Sequence, residues 1–557
     1  MAYRITAIWF LSILSIFSLN VGHAQKTVGL IDYQPGEVTK GYNLIFPHNQ
    51  PNVYLLDNCG QVVHRWEDED DYRPGNSVYL LENGNLVKCK RHVSGVVDPI
   101  WAGGGGAVVE ILDWDNNLLW SFEQNDSLRR LHHDVEVLPN GNIIMISWEK
   151  KTFEEAIQAG RDTALMTHDE LWPDYLLEVD PNTDSIVWEW HVWDHLIQDH
   201  DPTKDNFGVI RDHPELVNVN FVMGEGVPDW MHSNYVDYNP ELDQIMFSVN
   251  FFSEVWIIDH STSTEEAAGH SGGRSGRGGD LLYRWGNPMA YDRGNELDQR
   301  LFSQHDTRWL DDFVDQSHPD FGKILLFNNR FHPDYSAAHV IRPAFDTANW
   351  EYPRELSNRW GPNTYDRTIL HPDTFPLHST GLSSVQALPD QHWLLFSGRF
   401  GNAFELNEFL EVVWEYKVPF RAGQSVMQGD TLTINENITF AMRRYYPDYP
   451  AFQDKDLEAQ GFLELNPDGT PCDQILPVFE DDQRYLKSYP NPVSSNEFTV
   501  EWQHATQKDA VICDLLGTPV MSLIIRPGEN RVIIPQVEAG IYVLLIDGIT
   551  QRLIVLN

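Results

Sequence analysis

Two short phrases alternate along the middle of the chain, and their alternation constrains the fold more than any other feature. The first is an apolar run, an acidic or Asn-rich turn, and a second run closing on tryptophan. It occurs at 53–66, 108–120, 175–188, 255–285 and 404–414, which end on Trp66, Trp120, Trp188, Trp285 and Trp414. The second phrase is a strand-like run, a turn containing Gly or Asp, and another run, as at 77–87 and 135–145. Both read as β-hairpins, because β-branched and aromatic residues flank Asn-Gly or Asp-containing turns. Two hairpins make a four-stranded unit. Repeated about six times at irregular spacing, such units predict an all-β fold, a six-bladed β-propeller, in which each blade buries its faces against its neighbours. A long array of β-sandwiches is the alternative.

The two ends of the chain read differently. Arg4 precedes an apolar run at 5–21, and Gly22, His23 and Ala24 offer small residues before Gln25, the pattern of a cleaved signal peptide over residues 1–24. The propeller is then expected over 25–477, and the mature chain holds no later stretch apolar enough to span a bilayer. After about Pro477 the character changes. A rigid Tyr489-Pro490-Asn491-Pro492 entry leads into strand-like runs at 498–502, 510–516, 532–534 and 540–546, read as a small C-terminal β-sandwich over 478–557.

Charge removes several classes of partner. Lys and Arg number 39 against 82 Asp and Glu, a net charge of −43, which repels phosphate backbones and anionic membrane surfaces, so nucleic acid is not expected. The acidity is a solvated surface, since 42% hydrophobic residues supply a core. Export exposes Cys59, Cys89, Cys472 and Cys513 to oxidation. Of the three connectivities, Cys59 with Cys89 is the expected pair, with free buried thiols as the alternative.

Histidines recur just before the first strand of the second phrase: His133, His232, His305 and His378. The start of the innermost strand of a propeller blade faces the central channel, so the repeat aims several imidazoles at one cavity. Such a cluster can be a metal site, a packed polar core, or a nucleophile with its acid and base. Asp134 and Asp306 could add carboxylates, but adjacent residues on a strand point to opposite faces, which weakens shared ligation, and no metal is expected there.

The phrases His132-His133-Asp134 before Leu138-Pro139-Asn140-Gly141-Asn142, Met231-His232-Ser233-Asn234 before Ile245-Met246-Phe247-Ser248, and Gln304-His305-Asp306 before Leu325-Leu326-Phe327-Asn328-Asn329 resemble the aryl-sulfate sulfotransferase family. The resemblance runs from about Gly41 to Arg444. It implies a six-bladed propeller enzyme that moves a sulfuryl group from an aryl sulfate donor to a phenolic acceptor without a nucleotide donor or other cofactor. It places the sulfurylated histidine on His305, supporting histidines on His133 and His232, and a catalytic asparagine on Asn234. Ping-pong kinetics through a sulfohistidine follow. One position departs from the family pattern: Asn250 stands where an arginine is expected. Arg308, Arg330, Arg399 and Arg443 are the candidates to replace its charge, with Asn250, His378 and Arg330 as substrate-binding residues. The C-terminal segment resembles the sorting domain of the type IX secretion system through its Tyr-Pro-Asn-Pro opening, Asp514-Leu515-Leu516-Gly517, Ala539-Gly540-Ile541-Tyr542 and Arg552-Leu553-Ile554-Val555. That resemblance implies the secretion machinery as a partner, with passage through the periplasm to the cell surface or medium.

Two readings compete. A non-catalytic exported propeller would bind a ligand or protein, since this fold hosts many functions. A quinone-dependent dehydrogenase would share the Trp-ending repeats but needs a cofactor that the histidine pattern does not call for. The Gly103–Gly106 run lacks the ending of a phosphate loop and is read as a flexible rim loop, and the Gly-rich stretch at 272–279 as an insertion between strands.

Overall fold

The computed structural model describes residues 26–93, 98–222, 226–314, 316–355, 357–467, 486–489, 493, 497–502, 507–514, 519–533, 540–546 and 549–555. The expected signal peptide lies outside them. The chain divides into two compact units, Met1–Asp468 and Gly469–Asn557. No helix is long and apolar enough to cross a membrane among the described residues.

In the larger unit the two phrases become the inner and outer hairpins of antiparallel sheets. Among the described residues six such sheets follow one another. The second runs Tyr72–Leu80, Leu86–His92, Val108–Leu112, Leu118–Glu123; the third Arg129–Val137, Ile143–Glu149, Asp174–Asp180, Ser185–His191. The fourth runs Ser233–Asn239, Gln244–Val249, Glu254–Asp259, Tyr283–Trp285; the fifth His305–Trp309, Ile324–His332, Tyr335–Ile341, Arg367–Ile369. The sixth is Ser384–Ala387, Trp393–Ser397, Asn402–Leu406 and Val412–Lys417, with Gly29–Tyr33 added at its outer edge. The first sheet is Tyr42–Pro47, Val53–Asp57 and Val62–Trp66, and its inner strand, Thr439–Tyr445, comes from the far end of the unit.

Neighbouring sheets are joined at both edges. At the inner edge, Tyr72–Leu80 packs on Arg129–Val137, that strand on Ser233–Asn239, then His305–Trp309, Ser384–Ala387 and Thr439–Tyr445, which returns to Tyr72–Leu80. Carboxylates stitch this edge. Asp134 accepts the Val236 amide (3.1 Å), Asp237 that of Trp309 (2.7 Å) and Asp306 that of Val385 (2.6 Å). Each buried carboxylate satisfies a strand N–H that the next sheet would otherwise leave unpaired.

At the outer edge the repeated tryptophans do the same. Trp66 Nε1 donates to the Asp113 carbonyl of the second sheet, and Trp120 to Asp184 of the third. Trp188 donates to Thr262, Trp285 to Pro362, and Trp414 back to Asn58 of the first sheet at 2.8 Å. The repeat is thus a set of latches: a large apolar body fills the seam and its single N–H finds an acceptor on the next sheet.

The smaller unit contains Leu486–Tyr489, Glu497–Trp502 and Gly528–Ile533 in one sheet and Pro519–Ile525, Lys508–Asp514, Gly540–Ile546 and Ile549–Val555 in another. Both contribute to one core around Phe498, Trp502, Ile512 and Leu544.

The expected Cys59–Cys89 pair is corrected. Cys59 is disulfide-bonded, but Cys89 is a free thiol. The two sit in different surroundings: Cys59 in the turn between Val53–Asp57 and Val62–Trp66, Cys89 in the core of the second sheet against Val87, Val109 and Leu131. Burial raises the Cys89 pKa well above its usual value, so it is an inert apolar filler. Cys513 is also free, and Cys472 lies outside the described residues.

Candidate active site

Three of the four expected histidines come together at the inner edges of the third, fourth and fifth sheets. Each inner strand breaks register there: between the partners of Met145 and Ser147, between Ser233 and Tyr235, and between His305 and Arg308. A bulge re-aims the side chain beside it. His133 and His232 also hold left-handed φ values of 58° and 54°, and Asp306 one of 50°. Such backbone persists only where the surroundings fix it, and it concentrates at functional sites.

The rings of His133 and His232 meet edge to face with centroids 4.5 Å apart. His133 Nδ1 faces His132 Nδ1 at 2.8 Å, and His132 stacks on Trp148. Burial, then the charges of His232, His132 and His305, push the His133 pKa well below the usual range, so this ring is neutral. His232 behaves in the opposite way. Burial would lower its pKa, but the Asp229 carboxylate, 2.5 Å from Nδ1, outweighs it and raises the pKa. His232 also stacks on Phe251 at 4.7 Å.

His305 is held by both nitrogens. Nδ1 lies 2.7 Å from Asn329 Oδ1, and Asn329 is oriented because its Nδ2 donates to the Leu382 carbonyl at 2.7 Å. Nδ1 therefore carries the proton and Nε2 keeps its lone pair. That lone pair accepts the Leu382 backbone N–H at 3.0 Å. Burial takes the His305 pKa to about 3, so the ring is neutral at physiological pH. Leu382 and Ser383 hold φ values of 62° and 100°, so the amide facing His305 sits on constrained backbone.

The expected asparagines act one residue away. Asn234 Nδ2 (2.9 Å), Asn250 Nδ2 (3.1 Å) and, more weakly, Ser248 Oγ (3.4 Å) all donate to the carbonyl of Gln304, the residue before His305. The Gln304 side chain in turn donates to Ser248 Oγ, the Val249 carbonyl and the Glu254 carbonyl. Asn234 Oδ1 has no hydrogen-bond partner and is buried.

The arginine candidates separate into two pairs. Arg308 and Arg443 both bind the Asp306 carboxylate, and Arg308 also donates to Tyr79 at 2.6 Å, so their charge is already countered. Arg399 instead exerts its charge on His232, His305 and His48, and Arg330 acts on Arg399. Arg399 Nη1 reaches Asn435 at 3.1 Å while its buried Nε has no partner. Exposed Arg330 donates to the Thr380 carbonyl (3.3 Å). His378 stands apart from the other three histidines: it is half-buried between Phe375 and Phe400, with a pKa lowered by burial.

Sequence reasoning missed several members. Phe440, on the strand that closes the first sheet, lies 6.3 Å from the His133 ring, 6.4 Å from that of His305, and stacks on Tyr235 at 4.9 Å. His48 is half-buried with an inaccessible Nε2, and desolvation of the ring, with the charges of Arg91 and Arg399, lowers its pKa to about 4. The Gly103–Gly106 run is exposed at Gly103 and buried at Gly105 and Gly106, and the His133 amide donates to the Gly104 carbonyl at 2.9 Å. A Cβ on Gly104 would fall 2.0 Å from His133 Nε2, and φ is +79° there.

An all-β chain of small antiparallel sheets with a buried, mutually polarised histidine cluster at their shared inner edge is the class these observations define. The chain belongs to the Arylsulfotransferase (ASST) family, whose model matches residues 30–341. No curated protein matches it in sequence. Among solved structures it is similar to a putative 6-phosphogluconolactonase from Bacteroides fragilis, at 10% identity and TM-score 0.33 over 74% of this chain and 99% of that one. Virginiamycin B lyase from Staphylococcus aureus matches at 8% identity and TM-score 0.32, over 72% and 87%. Kuenenia stuttgartiensis hydrazine synthase matches at 11% and 0.29, over 57% and 68%.

Proposed function

We propose that this chain is an exported enzyme in which six sheets act as the blades of a six-bladed β-propeller, and that it transfers a sulfuryl group from an aryl sulfate ester to a phenolic acceptor through His305. The observation that carries the reading is the tautomer of His305. Asn329 holds the Nδ1 proton, and burial keeps the ring neutral, so Nε2 offers its lone pair. Membership of the arylsulfotransferase family supports the substrate class.

In the first half-reaction His305 Nε2 bonds to sulfur as the S–O bond to the aryl group breaks. The electron pair of that bond goes to the phenolic oxygen, which takes a proton from His232, whose pKa is raised by Asp229. In the second, His232 accepts the proton of the incoming phenol, its oxygen bonds to sulfur, and the N–S bond breaks with its pair returning to Nε2. Charge in the loose transition state spreads over the peripheral oxygens, so donors and cations dominate catalysis. Arg399, with Arg330 beside it, supplies positive charge in place of the family arginine. The Leu382 amide, released from Nε2 when the N–S bond forms, is left to donate to a sulfuryl oxygen. Asn234 and Asn250 act as positioning residues through the Gln304 carbonyl, and neutral His133 wedges His232 in place. No external cofactor enters either step.

Residues 478–557 are proposed as a type IX sorting domain that hands the folded enzyme to the secretion machinery after residues 1–24 direct it to the periplasm. The assay is a chromogenic aryl sulfate with and without added phenol. The expected result is phenol-dependent release of the chromophore, a sulfuryl adduct on the peptide bearing His305, and loss of both in His305→Ala. Undiminished release by His305→Ala would overturn the assignment, and absence of any release would leave a ligand-binding protein.

A further inference from the structure

Among the described residues one further group of side chains has the spacing of a metal chelate. His195, His270 and Asp280 each offer a ligand atom, all within 4.8 Å of one another. His195 follows the outermost strand of the third sheet, and Asp280 precedes the outermost strand of the fourth. The group therefore lies at the outer edge of the sheets, whereas His133 and His232 stand on inner strands.

The hydrogen bonds leave a specific problem at this group. His195 Nε2 lies 2.8 Å from the Ala267 carbonyl, which can only accept, so Nε2 carries the proton. In the neutral ring Nδ1 is then a bare lone pair, yet it faces Asp280 Oδ1 at 2.9 Å. His270 Nδ1 faces the same oxygen at 2.7 Å. Lone pair and carboxylate repel unless a proton or a metal cation stands between them, and the shared oxygen with two imidazole nitrogens on it has the spacing for the metal. A histidine whose second nitrogen donates to a backbone carbonyl is also the arrangement that orients metal-ligating imidazoles.

The surroundings are built for this orientation. His195 is fully buried and stacked on Trp190 with an interplanar angle of 7°, and Trp190 donates to the Gly279 carbonyl at 2.7 Å. A Cβ on Gly279 would fall 2.6 Å from His195 Nε2 and 2.0 Å from the Ala267 oxygen, so only glycine lets the loop close over the ring. The side chain of His270 is 61% exposed and leaves one side of the group open to solvent.

We propose that His195, His270 and Asp280 bind a divalent first-row transition metal, with Zn²⁺ as its best match, and that the ion staples the Gly-rich insertion to the third sheet. Two imidazoles and a carboxylate suit Zn²⁺ in a tetrahedral site with one open position. Bonds of about 2.0–2.2 Å separate neighbouring ligand atoms by roughly 3.3 Å. With His195 held in place, Asp280 Oδ1 shifts from it by about half an ångström and exposed His270 follows on its loop.

The test uses the full chain, stripped with chelator and titrated with Zn²⁺ by calorimetry, with bound metal counted after dialysis. The expected result is a site that raises the thermal midpoint and whose affinity falls roughly 100-fold or more in His270→Ala, while His232→Ala retains it. His270 is exposed, so its variant folds and keeps its rate of aryl sulfate turnover. Asp280→Asn repeats the loss from a second ligand. No Zn²⁺ bound, or equal binding by wild type and His270→Ala, overturns the proposal and leaves the three side chains as a hydrogen-bonded group only.

Discussion

The lone pair of His305 Nε2 accepts a hydrogen bond from the Leu382 backbone N–H at 3.0 Å, while Asn329 occupies the other nitrogen. The proposed nucleophile is thus fixed in tautomer by the Asn329 side chain, with the Ser303 carbonyl at 3.2 Å behind it, and capped by one amide. Asn329→Ala removes the shorter of the two Nδ1 hydrogen bonds and leaves only the Ser303 carbonyl, at 3.2 Å, to hold the proton, at a cost of about 0.5–1.5 kcal/mol. The expected outcome is a fall in kcat of roughly 10- to 100-fold with KM little changed, partly restored in Asn329→Asp, which keeps an acceptor. Equal activity of the Ala variant and wild type would remove Asn329 from the reaction.

Asp229 sets the protonation of His232. Removing its charge removes the main influence that raises the His232 pKa against burial. In Asp229→Asn the alkaline limb of the kcat profile therefore moves to lower pH. A steady-state pH series with the chromogenic ester checks this, and a shift in the other direction contradicts the acid role of His232.

Arg399 is the cation that acts on both His232 and His305. Arg399→Gln is expected to lower kcat/KM by roughly 10- to 1,000-fold, the range for a donor lost from a transition-state site. Asn250→Arg is expected to lower activity as well, because Asn250 is buried and its amide is spent on the Gln304 carbonyl. Kinetics of the two variants side by side decide whether the charge enters from the fourth sheet or from Arg399.

Gly104→Ala should separate activity from stability. The added methyl meets His133 Nε2 at 2.0 Å, and the left-handed backbone adds roughly 1–2 kcal/mol. Loss of turnover with the thermal midpoint lowered by only a few degrees is the expected result.

Stability declines on both sides of neutrality for different histidines. His305 and His339 titrate near 3, and His48 near 4, because their rings are desolvated, well below an unfolded value of about 6.5. The unfolded chain binds those protons first, so this stability is present above about pH 6.5 and is lost toward pH 4, by ~1.4 kcal/mol per unit for each group. His260 has the reverse sign. Burial opposes its charge, but Asp243 and Glu178, bonded at 2.8 and 2.9 Å, raise it to about 9. Its contribution is present below about pH 6.5 and lost as pH rises to about 9. Urea midpoints across this range should show His339→Asn flattening the acid limb and His260→Asn the alkaline one.

The hairpins were legible because each closes on a local turn, and five tryptophans marked the outer pairs. The fifth sheet was not read that way: its outer strand, Arg367–Ile369, carries no tryptophan and follows a long connection. His133, His232 and His305 could be placed from their position before inner strands, whereas His378 caps the turn Phe375–Leu377 and lies six residues before the inner strand Ser384–Ala387. The bulges were invisible, since a register break depends on the partner strand. So was the Leu382 amide, which has no side-chain signature. Asn329 stood within a recognised phrase without a role, because its acceptor function exists only opposite His305.

The strand Thr439–Tyr445 pairs with Tyr42–Pro47, and Trp414 latches to Asn58 across 356 positions of sequence. Closure of the first sheet therefore waits for the end of the unit to be made, and contacts this distant are slow to form. Phe440, which rests among His133, Tyr235 and His305, arrives on that same strand. A chain truncated or clipped before residue 439 leaves Tyr42–Pro47 as a bare edge and the histidines without their aromatic wall. Catalytic competence thus arrives with the last stitch, which makes turnover a readout of complete folding.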